Sequence, residues 1–296
     1  MNHRKRGNHP LKHTAIRETV MRFVFLLTAC VSILAVALIC IFLFQSGFPA
    51  IREIGLVQFL FGTTWKPGNG LYGIAPMILG SVYVTAGAIL VGVPLGLLTA
   101  VFMARFCPPR LHRIIKPAVD LLAGIPSIVY GFFGLMALVP LMKTIFGGGG
   151  KSMLTASVLL GIMILPTVIG VSEAALRAVP ENYYEGALAL GATHERAVFA
   201  TVLPAAKSGV LAAVVLGVGR AIGETMAVIM VAGNQTAMPS GLLKGVRTMT
   251  ANIVIEMGYA QDLHRQALFA TGVVLFIFIM LINLCFSCLK RKGEAQ

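Results

Sequence analysis

Arg220 and Glu224, in GVGRAIGETMAV, stand four residues apart in the middle of a long apolar run. On a helix this spacing puts both side chains on one face, about 6 Å apart along the axis at ~1.5 Å per residue. An arginine at mid-membrane costs roughly 2.5–3.5 kcal/mol even on insertion scales, so such a pair faces a bundle interior or a wet cavity. Two chemistries fit. The pair can neutralise itself as a structural ion pair that pins one helix to its neighbours, with Gly219 and Gly223 at small-xxx-small spacing to let backbones approach. Alternatively, the guanidinium, charged at any physiological pH, gives an oxyanion two parallel hydrogen bonds. The carboxylate then holds that guanidinium while the path is empty, or accepts from a substrate that still carries a proton. Monohydrogen phosphate has such a proton and sulfate at neutral pH does not. Residue chemistry leaves both readings open, with the path ahead because two charges are retained.

A second place where polar groups must be satisfied is Gly124-Ile125-Pro126-Ser127. Pro126 lacks a backbone donor and obstructs the Leu122 carbonyl, and the polar backbone so freed needs protein or water. Pro126 and Ser127 are therefore candidates for lining a pathway, with a packing kink as the alternative. A third is the mixed segment 185–204, EGALALGATHERAVFATVLP, where Gly191 interrupts a helical pattern and Pro204 limits its second half. Gly191 can take positive φ without steric cost, which makes a bend between two short helices.

The elements that position these residues are membrane spans. With 57% hydrophobic and 12% charged residues, the 296-residue chain departs far from soluble averages. The net charge of +13 falls beside apolar runs rather than on a soluble face, so it reads as a topology signal and not as a nucleic-acid surface. Six spans are expected, near residues 23–44, 74–103, 118–142, 154–171, 209–233 and 267–289. The first is too long, and lacks the small-x-small site, for a cleaved signal peptide. Gly92, Pro94 and Gly96 predict close helix contact and a local kink in the second, and Trp65 is expected as an interface anchor. The glycine run 147–150 reads as an outer turn, since no Walker lysine follows it. Sixteen of the 24 Lys and Arg fall in tails and loops placed inside, seven outside, which predicts two cytoplasmic termini. Cys285 and Cys288 form a lone Cys-x-x-Cys, and the six histidines make no intramembrane set, so neither a metal site nor an intramembrane enzyme is expected.

The 185–204 segment resembles the EAA loop of ABC-importer permeases through Glu185, Gly191, Leu203 and Pro204. Gly186 replaces the loop's first alanine and Thr201 its usual isoleucine. GIPSIVYGFFGL at 124–135, GRAIGETMAV at 219–228 and FLFGTTWKP at 59–67 are similar to the PstC family of phosphate-transport permeases, across most of 46–233. The resemblance implies an all-α, six-span type I importer permease in a bacterial cytoplasmic (inner) membrane. It is a non-catalytic subunit without a cofactor of its own, ATP and Mg being bound by a partner ATPase. It implies a PstA-like second permease, a PstB-like ATPase dimer docked on a coupling loop that contains Glu185, Gly186, Ala187, Gly191, Leu203 and Pro204, and a PstS-like extracytoplasmic phosphate-binding protein. Arg220 and Glu224 match positions implicated in phosphate passage. The corresponding division is a basic tail at 1–22, a first span with extracytoplasmic segment at 23–72, a permease core at 73–289 with its loop at 173–208, and a tail at 290–296. The competing readings are a permease for another oxyanion such as sulfate or molybdate, and a stand-alone secondary transporter, against which six spans without an evident inverted repeat argue.

Overall fold

The computed structural model describes residues 11–294. Helix α1 (Leu11–Ile54) carries the first apolar run and continues past the expected end at 44, with Pro49 inside it. Its apolar stretch is exposed on nearly every side. It leans on the last helix, α14 (Asp262–Glu294), through edge-to-face ring pairs Phe42–Phe269 and Phe44–Phe276. Gly47 makes the close approach, since a Cβ there would lie 2.8 Å from the Ala270 nitrogen. Gly55, at φ 88°, ends α1 and starts the short α2 (Leu56–Phe61). A two-stranded antiparallel hairpin follows, β1 (Trp65–Lys66) against β2 (Leu71–Tyr72).

The centre of the molecule is the pair α3 (Ala75–Val101) and α7 (Met153–Arg177). Lipid is as apolar as leucine, so van der Waals fit rather than water exclusion holds such helices, and small residues set the distance. A Cβ on Gly92 would fall 2.6 Å from the Gly161 carbonyl oxygen, and one on Gly96 2.8 Å from Val168, as the expected close contact requires. Pro94 lies inside α3 without breaking it.

The expected third span, 118–142, is not one helix. The chain forms an amphipathic α4 (Pro109–Gly124), turns through extended Ile125 and Pro126, and restarts as α5 (Ser127–Phe133), a π-helical turn at Gly134–Leu138, and α6 (Val139–Phe146). Proline biases the residue before it to extended backbone, so Pro126 separates two helices rather than kinking one. The membrane-crossing piece is Ser127–Phe146. Gly147, Gly148 and Gly150 then adopt positive φ in the expected turn.

After α7 come α8 (Glu181–Ala189), α9 (His194–Ala197), a π turn at Val198–Val202, α10 (Leu203–Ala205) and α11 (Lys207–Gly223), which leaves the preceding helices at 71°. The expected fifth span, 209–233, is also divided: α11 stops at Gly223 and α12 (Met226–Val231) follows an extended Glu224. The chain then returns through a loop to α13 (Met249–Met257) and α14. Among the described residues, five helices are long and apolar enough to cross a membrane, six if the bent pair before and including α11 counts as one span.

Candidate functional site

Arg220 stands on the last turn of α11, and its Nη1 donates to Thr167 Oγ1 on α7 at 3.2 Å. Glu224 does not share its helix face. The helix ends at Gly223, Glu224 has ψ 130°, and its Oε1 accepts the Ala227 N–H at 3.1 Å, so the carboxylate caps α12. Among the described residues no ion pair joins Arg220 to Glu224. The shared helix face expected from i, i+4 spacing on one unbroken helix is thereby corrected. Gly223 is a poor helix interior residue, and an acid placed before a new helix meets its unpaired N–H groups and the positive end of its dipole. Gly219 and Gly223 do not form a packing contact either, because a Cβ on either would meet no heavy atom within 4 Å. Thr250, on α13, donates through Oγ1 to the Glu224 carbonyl at 3.2 Å, so the break is held from the next element.

The α4–α5 junction is built beside this arginine. The Leu122 carbonyl, freed by Pro126, accepts the Tyr130 hydroxyl at 2.8 Å, which answers the expectation that protein or water must satisfy it. Tyr130 is buried on α5 within electrostatic range of Arg220. Pro126 itself is exposed and Ser127, the first residue of α5, is half-buried. Gly131 lets α5 lie on α12, since a Cβ would come within 2.9 Å of the Ala227 Cα. Arg220, Glu224 and the Pro126-Ser127 turn are thus carried by mutually packed elements. Thr167 and Tyr130, which complete the arrangement, carry no sequence signal beyond a hydroxyl in an apolar run.

The 185–204 segment forms the expected bent pair of short helices. Gly191 takes φ +85° with open space where a Cβ would lie, and Leu190 beside it is 92% exposed. Thr193 Oγ1 accepts the Arg196 N–H at 3.3 Å and starts α9. Side chains tie the loop to the π-helical turn Phe102–Phe106 that continues the end of α3: the Tyr184 hydroxyl meets His194 Nδ1 at 2.6 Å, the Phe106 and His194 rings pack 4.5 Å apart, and Arg105 pairs with Glu181 at 2.8 Å. Glu185 and Pro204 are exposed, Ala187 and Leu203 half-buried, and Gly186 leaves room for the alanine it replaces.

At the opposite end lies a cluster that composition did not announce. Trp65, expected at a lipid interface, is 3% exposed, and its Nε1 donates to Glu256 Oε2 at 2.9 Å. Glu256 also receives Arg247 Nη1 at 2.5 Å and pairs with His264 Nε2 at 2.8 Å. Arg247 reaches the Asn234 carbonyl and Asn252 Oδ1 as well. The segment between α12 and α14 is therefore an ordered cap. Burial raises the Tyr72 phenol above its ordinary range, and the Glu53 carboxylate adds to this; burial and then Glu256 raise that of Tyr259.

The family model of the binding-protein-dependent transport system inner membrane component matches residues 92–292, and the chain belongs to that family of ABC-importer permeases. It is 37% identical over 271 residues to the probable ABC transporter permease protein YqgH of Bacillus subtilis, covering 87% of this chain and 88% of that one. It is 36% identical to the phosphate transport system permease protein PstC of Mesorhizobium japonicum, with 82% and 81% covered. In fold it matches the inward-facing MetNI methionine ABC transporter at TM-score 0.62 and 21% identity, covering 78% of this chain and 99% of that one. A bacterial alginate ABC transporter matches at TM-score 0.68 and 14% identity, with 94% and 96% covered. The chain is a type I importer permease, a multi-pass inner-membrane subunit that is not itself catalytic and works with an ATPase and a binding protein.

Proposed function

We propose that this chain forms half of a path for inorganic phosphate, with Arg220 as the group that meets the anion inside the membrane. The observation that carries the reading is that Arg220 is not neutralised by Glu224: its guanidinium is held by a neutral hydroxyl, on a side of α11 where Gly219 and Gly223 face open space. A structural ion pair would have closed on itself. A guanidinium with spare donors is a strong oxyanion ligand, and the Thr167 hydroxyl beside it adds a neutral partner. Phosphate rather than another oxyanion is favoured by the PstC relatives.

The ATPase docks on Glu185–Pro204, around Leu190 and the Gly191 bend. Nucleotide and Mg belong to a PstB-like dimer, a PstA-like chain completes the path, and a PstS-like protein delivers phosphate to the cap. Both termini lie in the cytoplasm. Closure of the ATPase moves α8 and α9, and through Tyr184, His194, Phe106 and Arg105 the end of α3. The test is uptake of labelled phosphate by the assembled complex in cells lacking their own system. Arg220→Ala is expected to abolish uptake while assembly survives. Full uptake by that variant would overturn the assignment of the site, and uptake blocked by excess sulfate or molybdate would overturn that of the substrate.

A further inference from the structure

At the cytoplasmic end of α7, Glu173 is buried at 3% exposure and faced by three basic groups. Its Oε1 takes His112 Nε2 at 2.6 Å and Arg177 Nε at 3.0 Å. Its Oε2 has no hydrogen-bonded partner, and Lys116 Nζ stands 3.3 Å away, with Asp120 Oδ1 on its other side at 3.5 Å. Arg177 also donates from Nη2 to the Met103 carbonyl. One buried carboxylate so gathers basic side chains from α4 and α7. Neither Lys116 nor Arg177 is enclosed, their side chains being 35% and 48% exposed. Arg110 and Arg113, exposed on α4, add positive charge against the single exposed Asp120.

The position of this cluster relative to Arg220 matters. Thr167, Gly170, Ala174 and Arg177 fall within a sector of about 80° on α7, and Thr167 to Arg177 is about 15 Å along the axis at ~1.5 Å per residue. That sector is open: Gly170 has nothing within 4 Å of a Cβ, and Ala174 is exposed. An anion released by Arg220 at Thr167 therefore has small side chains beside it and two cations at the end. A single charged site leaves an anion to cross this distance without a partner, whereas conduction works best through several weak sites.

Resting on the reading of Arg220 above, we propose that Lys116 and Arg177, oriented by Glu173, form a second oxyanion station through which phosphate leaves toward the cytoplasm. Glu173 keeps both cations in place when the station is empty, and the loosely held Lys116 turns to the anion when it arrives. The Arg105–Glu181 pair beside it belongs to the coupling loop and stays engaged.

The experiment uses the assembled complex with native cysteines replaced and Ala174→Cys introduced on the open sector. An anionic and a cationic thiol reagent of similar size are compared, with and without inorganic phosphate. The anionic reagent is expected to react faster by about tenfold or more, as a positive cleft concentrates anions, and phosphate is expected to slow it. Lys116→Gln should remove the preference and lower maximal uptake, while Lys116→Arg restores both. Equal reaction with both reagents, or full uptake by Lys116→Gln in an assembled complex, overturns the station. Either result leaves Arg220→Ala to report separately on the anion path itself. Arg177→Lys, which keeps the charge, guards against a variant that merely disturbs Glu173, and it should retain the anionic preference.

Discussion

Arg220 needs its guanidinium shape as well as its charge. Two parallel N–H groups fit an oxyanion, whereas an ammonium is a point charge, so Arg220→Lys should keep assembly and lose most of the uptake rate. Vesicles loaded with ATP would show this as a fall in initial phosphate uptake at unchanged complex yield. The neighbouring Tyr130 is a different case. Tyr130→Phe removes the hydroxyl donor to the part-buried Leu122 carbonyl and leaves it the long Ile125 N–H bond at 3.4 Å, a loss of about 0.5–1.5 kcal/mol. A lowered melting temperature is expected with Arg220 chemistry intact, and an unchanged one would mean that water replaces the hydroxyl. Sequence alone pointed to Arg220, Glu224 and Pro126, because charge and proline in an apolar run are costly and so stand out. It placed the first two on one helix face because i, i+4 spacing presumes an unbroken helix, and a glycine followed by a capping acid ended that helix.

At the level of elements, two spans that hydropathy would draw as continuous helices are divided where the site lies. α4 and α5 part at Pro126, and α11 and α12 part at Glu224. Both breaks expose backbone polar groups beside Arg220, and each is satisfied by a named side chain, Tyr130 or Glu224. Hydropathy registers only the sum over a window, so it finds the spans and is blind to such breaks. The bend of the 185–204 segment was more legible, since it rests on a glycine, the residue that takes positive φ without steric cost. Gly191 at φ +85° excludes proline, whose ring fixes φ near −65°. Gly191→Pro should sharply reduce co-purification of the ATPase, whereas Gly186→Ala, which fills open space on α8, should leave it unchanged. Equal co-purification of both variants would count against docking on this loop.

Across the whole molecule, the cap and the 185–204 loop occupy opposite ends of the bundle and differ in how they are held. The cap closes on a buried carboxylate that satisfies Arg247, His264 and Trp65 together. Removing one partner of a buried charge pair costs about 3–5 kcal/mol, far more than one neutral hydrogen bond. Glu256→Ala should therefore lower thermal stability much more than Trp65→Phe. Because Trp65 is the only tryptophan, acrylamide quenching of its fluorescence should rise in Glu256→Ala. No clue in the sequence united these residues, since Trp65 and Glu256 are 191 positions apart.

The same polarity gives the orientation of the chain a direct readout. Gly68, in the hairpin beside the cap, has open space around it, and Leu190 at the loop is 92% exposed. With native cysteines replaced, an impermeant thiol reagent applied to intact cells should label Gly68→Cys and leave Leu190→Cys untouched until the membrane is opened. In opened membranes, co-expressed ATPase should then protect Leu190→Cys and not Gly68→Cys. Labelling in the reverse order would invert the topology and place the loop on the wrong side for a cytoplasmic ATPase. Labelling of Leu190→Cys despite assembled ATPase would keep the orientation and remove the exposed leucine from the contact.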